Sequence, residues 1–413
     1  MRLGSMRGLC GFRRRREVNL LSRIQPPGVW RRRLGVYALL WCAGLYLRIT
    51  ILAAPPLVPL IARDLGLNNT ASGMLTTLPG LLLALAAIPG AFLVAKLGAK
   101  RTLVYGLLLT GAASALRGAA AGVALLYAMT FFMGVGIAVM QPAFASLARS
   151  WTPQRVGFAT AVYTNGLLVG EVLSSGLTLP VVMPAVGGSW RASLVVWSLP
   201  ALAVAAAVAL KRQPAAASSS PGHWWPDWRD PNAWLLGLFM GGVSSLYFGT
   251  NAYLPGFLHA RGDAGWVTPA LTALNANQLL ASALLLVFAR RLVGRRWPLV
   301  IAPLVAVAAL VVLTFAPGAW AVVAGAVIGF CCSFLLILLF ALPPLLGGEE
   351  RAHSLSAAMF SLAYACSFIV PLFGGMIWDG TGIARTAFLP SGIYGLAIIG
   401  LAGLFRLQRA GSI

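Results

Sequence analysis

The sequence has very few charged residues for its length. Only 10% of its 413 residues are Asp, Glu, Lys or Arg, and only nine are acidic. A soluble domain carries about 25% charged residues, whereas 59% of this chain is hydrophobic. A water-soluble fold would expose too much of that apolar surface. The composition therefore excludes a soluble protein and predicts an integral membrane protein in a lipid bilayer.

Residues that could hold a cofactor or carry out catalysis are also scarce. The three histidines, His223, His259 and His353, lie on separate segments, and the five cysteines show no metal-ligand spacing. The sequence has no Gly-x-x-x-x-Gly-Lys-Ser/Thr loop, so ATP-driven transport would need another chain. We therefore expect no enzyme activity, no metal and no cofactor. A substrate sensor remains an alternative, although no output domain is recognisable.

Long apolar runs make up most of the chain. A membrane-spanning helix needs about 20 apolar residues at a rise of about 1.5 Å per residue. Twelve runs predict an all-α membrane protein with twelve transmembrane helices in two six-helix halves. The predicted spans are 34–60, 71–95, 101–119, 122–147, 156–183, 191–210, 232–259, 265–289, 297–315, 318–343, 353–379 and 386–407.

Polar segments divide the chain into four parts. Residues 1–33 form a basic tail with ten arginines, and residues 211–231 form a polar linker between the halves 34–210 and 232–413. The loops after the second and eighth helices resemble each other, which indicates a duplicated six-helix unit. The repeated loop residues are Gly98, Lys100 and Arg101 in the first half and Gly294, Arg295 and Arg296 in the second.

The net charge of +22 does not indicate a nucleic-acid partner, because the basic residues form short clusters between apolar runs. Cytoplasmic loops of membrane proteins carry an excess of Lys and Arg. Nearly all of the positive excess falls on the tail, the linker and the loops that the twelve-helix model puts on the same side of the membrane as these two segments. Arg117 and Arg191 are assigned to loops on the outside. We therefore predict that both termini and the linker are cytoplasmic.

Two charges, Arg48 and Glu171, lie within the first and fifth predicted spans. An ion at the bilayer centre is costly on a lipid face, so both should face the protein interior or a hydrated cavity. One interpretation is a structural ion pair that pins the two helices together. The other is that Arg48 offers paired donors to an anionic solute, while Glu171 holds the arginine or carries a proton.

Other polar and aromatic side chains would line a cavity near the membrane midplane. Serine and threonine often bond only their own helix, whereas an amide in hydrocarbon requires partners, which an interhelical hydrogen bond could also supply. The candidate substrate-binding residues are Tyr37, Trp41, Arg48, Gln141, Thr164, Asn165, Glu171, Tyr247, Asn251, Asn275, Gln278 and Tyr364. Glu171 is in addition the candidate for proton coupling.

The loop after the second helix resembles the signature of the major facilitator superfamily of transporters. It keeps Gly98 and the two cations Lys100 and Arg101, but Ala95 stands at the usual acidic position. The fifth helix lacks the Gly-Pro pair of the antiporter signature. The resemblance implies the fold of this superfamily. Because Ala95 replaces the acidic residue, the ion-pair contacts that this loop usually makes with neighbouring helices lack their carboxylate.

Three further stretches, residues 47–56, 134–142 and 159–171, resemble the cyanate permease and 2-nitroimidazole transporter group of that superfamily. This resemblance implies a small, compact solute that is anionic or heteroaromatic. We expect a monomeric secondary transporter of a cyanate-like or small organic anion in a bacterial cytoplasmic membrane, with protons as a candidate coupling ion. The alternative is proton-coupled export of a small toxic compound such as a nitroaromatic.

Overall fold

The protein is built from α-helices, which confirms the all-α prediction. The computed structural model describes residues 27–85, 87–211 and 227–405, and these ranges contain no strand. The helices are α1 (Pro27–Leu45), α2 (Ile49–Leu52), α3 (Val58–Leu65), α4 (Asn69–Leu85), α5 (Ala87–Leu97), α6 (Ala99–Gly118), α7 (Val123–Trp151), α8 (Val156–Leu177), α9 (Met183–Ala185), α10 (Trp190–Leu210), α11 (Pro231–Ala260), α12 (Val267–Leu292), α13 (Trp297–Phe315), α14 (Trp320–Phe340), α15 (Leu342–Thr381) and α16 (Leu389–Ala402).

Ten helical segments among the described residues are long and apolar enough to cross a membrane. The predicted spans 71–95 and 101–119 are helical as well but are not among these ten. The first corresponds to α4 and α5, which have 17 and 11 residues. The second corresponds to α6, which carries three cations. Most of the predicted tail and linker, and residues 406–413, lie outside the described residues.

The first predicted span is not the uninterrupted helix over 34–60 that the sequence suggested. α1 ends at Leu45, and Arg48 has non-helical dihedral angles of φ −135° and ψ −30° before the short helix α2. A second irregularity follows at Pro55 and Pro56, which have no N–H to continue the helical hydrogen bonds. The span therefore consists of three helical pieces, and Arg48 lies at the first break.

Close packing between α1 and α8 brings the two membrane charges together. Gly44 lies against the backbone of Tyr163, and Gly166 lies against the backbone of Trp41. A Cβ atom at either glycine would collide with the facing carbonyl group. The two helix backbones can therefore approach closely. This brings Arg48, just beyond the end of α1, next to Glu171 of α8.

The span predicted over 353–379 matches the apolar segment Ser354–Thr381, and the helix that contains it, α15, begins further back, at Leu342. One other sequence assignment is wrong. Arg117, assigned to an outside loop, lies instead in the last turn of α6 with 0% of its surface exposed. A cation in the last turn of a helix interacts favourably with the helix dipole, and neighbouring helices cover this one completely.

The two repeated loop glycines have the same backbone conformation. Gly98 has φ 82° and Gly294 has φ 80°, in the region that only glycine adopts readily. Gly98 directly precedes α6, and Lys100 donates from Nζ to the carbonyl of Ala209 at 2.6 Å. Each glycine thus permits a positive φ in the connection between two consecutive helices.

Candidate functional site

Arg48 and Glu171 form a buried ion pair. Arg48 Nε lies 3.0 Å from Glu171 Oε1, and the two residues are only 8% and 2% exposed. Breaking such a pair by removing one partner leaves a buried charge without compensation, which is strongly destabilising. The pair therefore fixes α8 to the break in the first span.

The ion pair does not satisfy the hydrogen-bonding capacity of the arginine. Arg48 Nε and Nη1 are buried, and among the described residues neither has a hydrogen-bond partner with acceptable geometry. The guanidinium carbon also lies 5.3 Å from the centre of the Phe248 ring, a distance suited to a cation–π interaction. Arg48 is thus held by a carboxylate and a ring, while part of its donor set remains available.

Gln278 continues the polar contacts from Glu171 towards α11. Its Nε2 donates to Glu171 Oε2 at 2.5 Å and to the Tyr247 hydroxyl at 3.1 Å. Glu171 is consequently bonded on one oxygen by an amide and lies beside the guanidinium on the other. This arrangement fixes the orientation of the carboxylate.

Tyr247 links this amide to two asparagines. Its hydroxyl donates to Asn275 Oδ1 at 2.6 Å, and Asn275 Nδ2 donates to Asn251 Oδ1 at 3.2 Å. Asn251 Nδ2 in turn donates to the backbone carbonyl of Tyr247 at 3.0 Å. Arg48, Glu171, Gln278, Tyr247, Asn275 and Asn251 therefore form one continuous buried chain, which we term the polar chain. Networks of this kind rigidify a buried site when their members are bonded.

A cavity of about 60 Å³ adjoins this chain. Its wall is partly charged and amide-bearing and partly aromatic. The lining residues include Arg48, Glu171, Ser244, Tyr247, Phe248, Gln278, Cys332, Phe360 and Tyr364. The Phe360 and Tyr364 rings stack with their centres 6.2 Å apart and an interplanar angle of 18°. One guanidinium and several flat rings thus face the same small space.

Seven of the twelve sequence-predicted residues do not line this wall: Asn251 and Asn275, which belong to the polar chain, and five others. Trp41 donates from Nε1 to Asn165 Oδ1 at 3.0 Å, and Asn165 is exposed. Tyr37 packs edge-on against Phe158 with ring centres 4.9 Å apart. Gln141 and Thr164 are half-buried. None of the five is among the residues that line the cavity.

The hydroxyl groups on α8 and just beyond it mostly bond their own helix. Ser174 Oγ donates to the Gly170 carbonyl at 2.8 Å, and Ser175 Oγ donates to the Glu171 carbonyl at 2.7 Å. These bonds are the usual way in which such side chains are satisfied inside a helix. Glu171 is therefore the polar residue of α8 that lines the cavity.

Phe248 and Arg117 were not recognised from the sequence. Phe248 follows Tyr247, and nothing in an apolar run distinguishes a ring beside a guanidinium from an ordinary core residue. Arg117 Nη1 donates to the Thr50 carbonyl at 3.0 Å. Its position between two apolar runs gave the opposite signal, that of a loop.

A second contact joins segments from opposite sides of the linker. The Asp379 carboxylate of α15 accepts from the Asn69 backbone N–H at 2.9 Å and the Thr70 backbone N–H at 2.8 Å. It also accepts from both side chains. These N–H groups open α4 and have no partners within the helix. Asp379 therefore caps a helix that is 310 residues distant along the chain.

Close packing supports the Asp379 contact. Gly73 of α4 and Gly375 of α15 both lie against the hydroxyl of Tyr253, where a Cβ atom would not fit. The same hydroxyl donates to the Pro371 carbonyl at 2.7 Å. The end of α15 and the start of α4 thus both pack against α11. No group of three residues suited to a metal ion occurs in the part of the chain that the structure describes.

The fold and this buried site are those of a membrane transporter. The sequence profile of the Major Facilitator Superfamily matches residues 40–371, and the chain belongs to that family. It is a multi-pass membrane protein and not an enzyme.

Comparisons with known proteins agree. The chain is 27% identical over 368 residues to the cyanate transport protein CynX of Escherichia coli strain K12, covering 87% of this chain and 94% of CynX. It is 28% identical over 342 residues to the 2-nitroimidazole transporter of the same strain, covering 81% and 86% of the two chains. A solved bacterial homologue of the human lysosomal transporter Spinster, in an inward-facing and unoccupied conformation, superposes with a TM-score of 0.71 at 16% identity, covering 90% and 95% of the two chains. This last likeness shows the fold.

Proposed function

We propose that the protein is a secondary active transporter of a small anionic solute, cyanate-like or a small organic or heteroaromatic anion. It works by alternating access between two six-helix halves with twelve transmembrane helices in total. The proposal places it as a monomer in a bacterial cytoplasmic membrane with both termini cytoplasmic. The substrate binds in the cavity beside the polar chain.

The observation that carries this proposal is the incompletely bonded guanidinium of Arg48. Its Nη1 is buried and has no hydrogen-bond partner among the described residues, which is unfavourable for an arginine that is only 8% exposed. An anion in the adjoining cavity would accept from these donors and would gain a charge-assisted bond. CynX and the 2-nitroimidazole transporter bear names of small solutes, which agrees with this assignment.

The cavity, at about 60 Å³, is small and favours a compact solute. The stacked Phe360 and Tyr364 rings add a flat apolar surface beside the charge.

Charge balance supports proton coupling through Glu171. The Arg48–Glu171 pair is neutral overall, so a monovalent anion would leave the buried site with a net negative charge. Such a charge in a low-dielectric interior is costly, and protonation of Glu171 would restore neutrality. A proton and an anion would then enter and leave together.

Alternating access requires the contacts between the two halves to break and re-form. The Asp379 cap on α4 and the packing of Gly73 and Gly375 against Tyr253 join segments that the proposal assigns to opposite halves. In the proposed cycle these contacts would close one side of the site. Opening that side would release the Asn69 and Thr70 donors to water.

The aromatic wall favours a second candidate function. Flat rings beside a cation also suit a nitroaromatic compound, whose nitro oxygens accept hydrogen bonds and whose ring can stack. In this alternative the protein exports a small toxic heteroaromatic compound in exchange for protons. Glu171 would again be the proton carrier.

Ligand-induced stabilisation of the purified protein tests the proposal. A ligand at 100 times its dissociation constant stabilises the folded state by about 2.7 kcal/mol. We expect thermal unfolding to shift upwards with cyanate or a similar small anion, and the shift to disappear in Arg48→Met. Arg191→Met, which removes an exposed arginine paired with Asp64, is the matched control and should keep the shift.

The same measurement separates the two candidates. A shift with 2-nitroimidazole but with no small anion would support the exporter. If neither class of compound stabilises the wild-type protein, or if Arg48→Met responds as the wild type does, the anion site is not where we place it.

A further inference from the structure

Arg117 is a second buried arginine, and it lies outside the cavity. Its side chain is 0% exposed, and it forms no ion pair among the described residues. Nη1 donates to the Thr50 carbonyl at 3.0 Å and lies 3.1 Å from Met133 Sδ. Nε and Nη2 are buried and have no hydrogen-bond partner within the described ranges. Its bond to Thr50 is therefore the principal polar contact of a fully buried cation.

The carbonyl of Thr50 is available because the helix fails there. In a continuous helix this group would accept from the N–H of Ala54, four residues later. Pro55 has no N–H, so the carbonyl of Ile51 lacks its own donor, and Ala54 N–H bonds to Ile51 at 3.3 Å instead. The proline pair thus leaves the Thr50 carbonyl without its helical donor, and Arg117 Nη1 donates to it instead.

Thr50 lies two residues after Arg48, within the four-residue helix α2. A helix of one turn has little stability of its own, so its place depends on contacts from neighbouring helices. Arg117 supplies such a contact from α6 and fixes the backbone immediately after the break. The direction of the Arg48 side chain depends on that backbone.

We infer that Arg117 is a positioning residue that holds the break in the first span and thereby presents Arg48 to the cavity. The inference rests on the proposed function in that Arg48 is taken to bind the anion. It adds that substrate affinity is set in part by an arginine that touches no substrate. Its hold on the backbone is measurable without any substrate.

The test compares three variants of the full-length purified protein. Arg117→Met keeps the approximate length but removes the donor and the buried charge. Arg117→Lys keeps a donor that can reach the same carbonyl. Arg261→Met is the matched control, because Arg261 Nη1 also donates to helix-end carbonyls, those of Leu313 and Ala316.

The first readout is amide hydrogen exchange over residues 46–54 without substrate. We expect Arg117→Met to raise exchange there by about tenfold, because local opening becomes easier. Arg117→Lys should stay near wild type, and Arg261→Met should leave this segment unchanged. Equal exchange in wild type and folded Arg117→Met, or an equal rise in Arg261→Met, would overturn the inference.

The second readout is the dissociation constant for cyanate. We expect about tenfold weaker binding in Arg117→Met, a change of about 1.4 kcal/mol, with recovery in Arg117→Lys. Raised exchange with unchanged affinity would overturn the presentation of Arg48. If the wild-type protein itself binds neither cyanate nor 2-nitroimidazole, the proposed function fails, and the exchange result alone decides whether Arg117 holds the break.

Discussion

The two parts of the chain on either side of the linker contribute different chemistry to one cavity. The part before residue 211 supplies the ions Arg48 and Glu171, and the part after residue 227 supplies Tyr247 and Gln278. Asn275 and Asn251 stand behind Tyr247 in the polar chain. A charge gives strong but unselective attraction, whereas amides and hydroxyls fix orientation. We therefore expect substitutions in the first part to abolish function and those in the second part to tune it.

Arg48 should show the largest effect. Arg48→Met removes the buried cation and should weaken anion binding by about 3 kcal/mol or more, roughly 100-fold or more. Arg48→Lys should fold but lose much of the affinity, because an ammonium cannot reproduce paired donors in a plane. Uptake of labelled anion into proteoliposomes measures both variants. Wild-type uptake by Arg48→Lys would contradict the paired-donor role.

Stability of the ion pair separates a structural role from a functional one. Arg48→Ala or Glu171→Ala alone should lose about 3–5 kcal/mol of unfolding free energy, because one buried charge remains unpaired. The double Ala variant should recover much of that loss. If the folded double variant also transports normally, neither side chain contacts the solute or the proton.

Glu171→Gln should have a smaller effect and one of a different kind. Glutamine resembles the protonated acid, so the site stays neutral when an anion binds, and affinity should be kept or rise. Uptake should no longer depend on pH, and accumulation driven by a pH gradient should fall by about tenfold, since the proton is no longer carried. Accumulation and pH dependence equal to wild type would exclude Glu171 as the coupling residue.

In the second part of the chain, Tyr247→Phe is the most selective change. It removes the hydroxyl that donates to Asn275 at 2.6 Å while keeping the ring beside the cavity. The loss of one buried hydrogen bond costs about 1–3 kcal/mol when a partner is left unsatisfied. We expect a several-fold rise in KM with little change in the maximum rate. An effect as large as that of Arg48→Met would break the distinction between the two parts.

Much of this arrangement follows from the sequence, and the remainder depends on packing. Arg48 and Glu171 could be paired in advance because ions in a bilayer require partners. The amides Asn251, Asn275 and Gln278 were singled out by the same reasoning. Which groups they bond was not predictable, since that depends on how closely α8, α11 and α12 approach.

Helical periodicity does not extend through the first span. Tyr37 and Trp41 were aligned with Arg48 by helical periodicity, which holds only for a continuous helix. Arg48, with its φ of −135°, lies outside the regular helix that carries Tyr37 and Trp41, so the alignment does not extend to it. Further along the span, the proline pair leaves the Thr50 carbonyl to Arg117. Pro55 and Pro56 account for the second irregularity of the span, whereas no proline or glycine adjoins Arg48 at the first break.

The Asp379 contact gives the last and smallest expected effect, because it lies away from the cavity and joins the two parts. Asp379→Ala removes a carboxylate that caps α4, and loss of a cap costs about 0.5–2 kcal/mol. The closed side should then open more often, while affinity in the occupied cavity changes little. We expect a shift of about threefold to thirtyfold in the conformational equilibrium and a modest change in uptake.

Labelling of a cysteine at Thr76, which is 1% exposed one turn inside Gly73, would measure this shift in a cysteine-free background. Thr381→Ala, a substitution at the exposed end of α15, the helix that carries Asp379, is the matched control. Faster labelling in Asp379→Ala than in the control is expected, because each opening exposes this position. Equal labelling in both would mean that the helix cap contributes nothing to holding the two parts together, and that the close contacts of Gly73 and Gly375 with Tyr253 are sufficient.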